Sequence, residues 1–146
     1  YEPVLRKTVE RLHLEKDVLF AGHQPHNKIY KWLSASDIFC LATGNEGWAN
    51  VFLEASACGL PVVTTNVGGN EEVVSSEDYG LLFDINNKKE MTAAILKALG
   101  KNWDKDKIIS YARSNTWDNR SSQLLNQFKE IIHSDKLCLS EKVLIQ

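Results

Sequence analysis

The chain carries four short apolar runs, at residues 17–22, 38–42, 60–65 and 79–83, and helical patterns fill the stretches around them. That alternation constrains the fold more than any single residue. Val4, Leu5, Val9 and Leu12 predict an amphipathic helix over 3–13. Ile29, Tyr30, Trp32 and Leu33 lie largely on one side of a second over 26–36, with Pro25 close to its start. Asn50 is a plausible N-cap for a third through Ala57, and Gly59 stands where a left-handed C-terminal residue is wanted. Gly68-Gly69 breaks the chain, and one helical turn is expected from Glu71 to Val74. Met91, Ile95 and Leu99 mark a helix over 88–99. Thr116 caps a last one over 117–132 with Leu124, Phe128, Ile131 and Ile132 on its apolar face. Strands alternating with helices of about ten residues argue for βαβ units and a parallel sheet. The apolar runs are nearly continuous, as when helices cover both faces of the sheet. The fold class is α/β.

At 146 residues the chain is long enough for one domain with a real core, assigned to residues 1–133, with 134–146 as a tail or crossing segment. A net charge of −2 gives no reason to expect nucleic acid or an anionic membrane as the partner. No apolar run approaches the roughly 20 residues of a membrane span, and no signal-peptide pattern opens the chain. Cys40 and Cys58 sit in apolar runs and read as small buried hydrophobes; with Cys138 they are three, widely spaced. Neither they nor His13, His23, His26 and His133 offer metal-ligand spacing, so no metal is expected, and the compartment reads as reducing and cytoplasmic. The first residues, Tyr1-Glu2-Pro3-Val4-Leu5, run straight into a helical pattern without an initiator methionine, as in a piece of something longer.

In open parallel sheets ligands bind at the carboxyl ends of the strands. The loop after run 38–42, residues 43–49, occupies such an end and leads into a helix. Unpaired N–H groups and the positive end of a helix dipole suit a phosphate there. Gly47 lets the backbone approach an anion closely, and Asn50 and Val51 offer first-turn N–H groups. Glu46 and Glu54 flank this cradle, Glu46 on the loop and Glu54 one turn into the helix. A carboxylate accepts from two vicinal hydroxyls, so the pair could hold the two sugars of a nucleotide sugar, with Gly68-Gly69 as a second bare stretch on the same rim. Each feature also has a plainer reading. Glu54 suits a helix N-terminus through the dipole alone, glycine pairs usually make turns, and two carboxylates also suit a glycosidase, though that chemistry needs no phosphate loop between them.

The string Glu46-Gly47-Trp48-Ala49-Asn50-Val51-Phe52-Leu53-Glu54-Ala55-Ser56-Ala57-Cys58-Gly59-Leu60-Pro61-Val62-Val63, running on through Gly68-Gly69 to Glu72, resembles the C-terminal lobe of family 4 GT-B glycosyltransferases. The two glutamates match that family's E-x7-E motif. Residues 17–22, 36–39 and 79–83 resemble further segments of the same lobe. The resemblance implies a Rossmann-like, incomplete GT-B lobe and a retaining transfer from a UDP- or GDP-linked sugar to a hydroxyl acceptor, without a cofactor or obligatory metal. It implies that Glu46 faces the donor sugar as the catalytic residue and that Glu54 holds the ribose. The backbone of Gly47, Trp48, Ala49, Asn50 and Val51 would meet the diphosphate and sugar, and Gly22 and His23 would lie against the base. In that family the donor diphosphate itself helps deprotonate the acceptor, which attacks on the same face. The family's cationic Arg…Lys pair and its N-terminal acceptor lobe, the expected partner and the only route to a membrane, match nothing in these residues. Trp48 stands where phenylalanine is common, and Thr43-Gly44-Asn45 replaces a proline–serine approach. A GT-B sugar-nucleotide epimerase and a non-catalytic nucleotide-sugar-binding module are the alternatives.

Overall fold

The computed structural model describes residues 1–143, with side chains described as far as His133; the last three residues of the expected tail lie outside the described residues. The elements in chain order are α1 (Glu2–Arg11), α2 (His26–Ser34), β1 (Phe39–Leu41), α3 (Asn50–Ala57), β2 (Val62–Thr65), α4 (Asn70–Val73), β3 (Gly80–Phe83), α5 (Lys88–Gly100), α6 (Lys105–Ser114) and α7 (Trp117–Val143). The strands form one parallel sheet in the order β1-β2-β3, with Phe39 beside Val62 and Val62 beside Gly80. All three carboxyl ends therefore share one rim.

Side chains alternate across a strand, and β2 uses that alternation to build two cores. Val62 joins Leu33, Phe52, Ala55, Leu60, Val73 and Val74 on the face covered by α2 and α3. Val63 joins Leu81, Phe83, Ala94 and Ala98 on the face covered by α5. Helices thus lie on both faces, as the continuous apolar runs require. Phe52 is wholly buried and meets Phe39 edge to face, ring centroids 6.1 Å apart. On the far side of α3 packs α6, whose Ile108 is also fully buried.

Several sequence expectations need correction. Residues 17–22 form no strand; Val18 and Leu19 are 38% and 77% exposed. Extended backbone becomes a strand only when a neighbour completes its hydrogen bonds, and no described strand runs alongside this segment. Cys40 is exposed because β1 is an edge strand covered less completely than β2, and Cys58, at the C-terminal cap of α3, is half-buried. On α5 the buried residues are Ala94 and Ala98, while Leu99 turns outward. The N-cap of α3 is Ala49, and Asn50 is its first helical residue. The apolar stripes of α1 and α7 are exposed, Val4, Leu5, Leu124 and Phe128 among them. The last helix also runs on to Val143, past the expected end at 132. Finally, α6 has no counterpart in the sequence reading. Its signal is an Asp104 cap accepting from Lys107 N–H at 3.0 Å, followed by Ile108 and Ala112 at helical spacing.

Candidate functional site

The loop 43–49 leaves the carboxyl end of β1 and enters α3 at Ala49. None of residues 43–48 is fully buried, so packing alone cannot define the loop's path. Backbone contact with the turn after β2 does so instead. Gly69 N–H donates to the Glu46 carbonyl at 3.1 Å. A Cβ on Gly68 would overlap that carbonyl oxygen, and one on Gly69 would overlap the Gly47 carbonyl oxygen. Gly68 also holds φ at +53°. The two glycines read from the sequence as a bare stretch on the rim are in fact the floor on which the Glu46–Gly47 peptide rests.

Glu46 is half-buried on this loop, and Glu54 lies one turn into α3, as its spacing predicts. Between them the first helical turn presents its amides. Phe52 N–H donates back to Ala49 O at 3.0 Å, whereas Asn50 and Val51 N–H donate to no acceptor among the described residues. Such groups, at the positive end of a helix dipole, are an anion-binding arrangement. Ala49 is buried and anchors the start of the helix in the core.

Trp48 is half-buried, with the Arg120 guanidinium 4.8 Å from its ring centroid. Next to it lies a cavity of about 490 Å³ lined by Trp48, Asn50, Leu53, Trp117 and Arg120 among others. That cavity is lined in part by α7 and includes neither Glu46 nor Glu54.

Gly22 and His23 are exposed in the segment before α2, and no hydrogen bond or ion pair joins them to residues 46–54 among the described residues. The histidine brought to the site is His26, whose Nε2 stands 3.5 Å from Glu54 Oε1. In the sequence His26 was legible only as the start of a helix. Arg6 stays on the surface, paired with Glu2 at 2.7 Å and over the Phe20 ring at 4.3 Å. No group of three or more His, Cys, Asp or Glu residues among the described residues could hold a metal ion, and no helix searched is long and apolar enough to cross a membrane.

Comparison with known proteins fits this architecture. Residues 1–115 match the family described as glycosyl transferases group 1. The chain is 30% identical over 126 residues to N-acetyl-alpha-D-glucosaminyl L-malate synthase of Bacillus anthracis, covering 86% of this chain and 32% of that protein. It is 31% identical over 132 residues to O-antigen chain mannosyltransferase B of Escherichia coli, covering 88% and 34%. Among solved structures, sucrose-phosphate synthase of Thermosynechococcus elongatus superposes with a TM-score of 0.69 at 22% identity, over 89% of this chain and 34% of that one. HepE of Anabaena, solved in complex with UDP, superposes with a TM-score of 0.63 at 28% identity, over 92% and 37%. The chain thus spans about a third of the length of the curated relatives it matches. Its sheet is Rossmann-like in the manner of GT-B enzymes, and the chain belongs to the glycosyl transferases group 1 family.

Proposed function

We propose that this chain is the donor-binding lobe of a retaining, family 4 type hexosyltransferase that uses a UDP- or GDP-linked sugar. The observation that carries this reading is the pair of free first-turn amides, Asn50 and Val51, set between Glu46 and Glu54 at the carboxyl end of β1. The amides and the dipole of α3 suit the diphosphate, which carries most of the donor's charge. Glu46 reaches toward the transferred sugar and Glu54 toward the ribose hydroxyls, steadied by His26. Gly22 and His23 complete the base side. The mannosyltransferase and the UDP complex among the relatives support a nucleotide-sugar donor.

In this reading the acceptor hydroxyl attacks the anomeric carbon on the face the diphosphate leaves. The diphosphate takes the hydroxyl proton, and the amides of the loop and of α3 stabilise the charge growing on the leaving group. The remaining positive charge and the acceptor site come from a second lobe, through which any membrane association would run. No metal or other cofactor is required, and a nucleotide-sugar donor suits a cytoplasmic reaction that builds a polysaccharide or glycoconjugate.

The decisive experiment is Glu46→Ala in the full-length protein that carries this chain, assayed for sugar transfer from UDP- and GDP-sugars. Transfer should fall by at least about 100-fold, the scale of losing a group that acts on the transition state. An unchanged rate would remove Glu46 from the reaction. Titration calorimetry of the present chain should show weak donor binding or none, and tight binding or turnover by it alone would overturn the need for a second lobe. Epimer formation without any acceptor would instead mark a sugar-nucleotide epimerase.

A further inference from the structure

The carboxyl ends of β1 and β2 are joined by side-chain hydrogen bonds made by residues outside the candidate donor-binding set. Asn70 is completely buried, and its Nδ2 donates to Thr64 Oγ1 at 3.2 Å and to Thr65 O at 2.9 Å. Thr64 Oγ1 donates across the sheet to Leu41 O at 2.7 Å. Thr65 Oγ1 donates to Thr43 O at 2.6 Å, and Thr43 Oγ1 to Asn45 O at 3.0 Å. The next residue is Glu46, whose carbonyl accepts from Gly69, the neighbour of Asn70. The bonds therefore close a circuit from the turn after β2, through the strand end, out to the loop and back.

Three facts separate this circuit from ordinary core packing. The hydroxyls of Thr64 and Thr65 lie in a strand that is otherwise valine and fully buried, where valine would fill the same space without a polar group to satisfy. Asn70 Oδ1 meets no donor among the described residues, so the amide serves through its donors. Every loop group the circuit reaches belongs to residues 43–46, which have no fully buried side chain to hold them.

We infer that Asn70, Thr65 and Thr43 are positioning residues for Glu46: they set the height and direction of the loop that presents it. This inference rests on the donor-site reading of Glu46 and deepens it. Sites of this kind lose rate steeply when a group is misplaced by about 1 Å. The circuit fixes the loop from below at the Thr43 carbonyl and at the Glu46 carbonyl, leaving the Glu46 side chain free to face a ligand.

The test compares Thr65→Val with Thr65→Ser in the full-length protein. Valine keeps the volume and removes the donor; serine keeps the donor. With Thr65→Val, kcat should fall about tenfold while the KM for the donor changes by less than about threefold. Thr65→Ser should restore most of the rate. Amide hydrogen exchange at residues 43–47 should quicken about tenfold or more in the valine variant and not in the serine one, with β2 itself still protected. Thr43→Val, at a half-buried loop position that cannot unfold the core, should show the same pattern more weakly. Wild-type kcat together with unchanged loop exchange in both valine variants would overturn the inference. Loop exchange reads it independently of catalysis, so an active Glu46→Ala enzyme with a quickened loop in Thr65→Val would sink the donor-site reading alone.

Discussion

The strand β2 and the segment 17–24 are both apolar stretches ahead of a helix, and the molecule treats them in opposite ways. All four residues of β2 are buried, flanked by a strand on each side and by helices on both faces. The segment 17–24 has no fully buried side chain and no strand partner, and its support is confined to contacts such as Arg6 over Phe20. The difference teaches that an apolar run yields a strand only when other elements supply the second half of each interaction. It also separates the two ends of the candidate site. Glu46 stands on a corner hydrogen-bonded to the turn after β2, whereas Gly22 and His23 stand on the segment with little beneath it.

Three measurements sharpen or break that contrast. Phe52→Ala removes a ring from the core under β2 and should cost about 3–5 kcal/mol in denaturant unfolding, since Phe52 is wholly buried against Phe39. A loss below about 1 kcal/mol would mean that this side is no better packed than the other. Tyr111→Phe should cost about 1–2 kcal/mol, because Tyr111 donates to Val73 O at 2.6 Å and stacks on Tyr79 at 4.1 Å. Burial pushes the Tyr111 phenol above its ordinary value. A raised value means that the fold favours the protonated form. The contribution is therefore whole below about pH 10 and disappears as pH rises through the folded value. Urea midpoints at neutral and strongly alkaline pH should show the gap between wild type and Tyr111→Phe shrinking. Smallest of all, Leu19→Ala should change stability by no more than about 0.5 kcal/mol, because Leu19 is 77% exposed. A loss as large as that of Phe52→Ala would erase the distinction drawn here.

What could be read in the sequence follows the same physical line. Period and glycine placement sufficed for β2, β3, α3 and α5, where the chain's own pattern coincides with its packing. The left-handed Gly59 and the Thr116 cap, which accepts from Asn119 N–H at 3.4 Å, were legible for the same local reason. The run 17–22 misleads because strand formation depends on a neighbour that local pattern cannot supply. Cys40 misleads because an edge strand and a central one share the same apolar composition. At the site, the positions of Glu46 and Glu54 on loop and helix followed from spacing. The roles of Asn70, Thr65 and His26 did not. Their partners lie across the sheet or on another helix, joined by bonds that leave no periodic trace.

The two glycines under the Glu46–Gly47 peptide also govern how this part of the protein can move. With no side chains between them, the two backbones meet like stacked plates, and neither can tilt without displacing the other. Any larger residue at either glycine would have to push the peptide that carries Glu46 away from the turn, so the spacing of loop and turn is written in the smallness of these two residues.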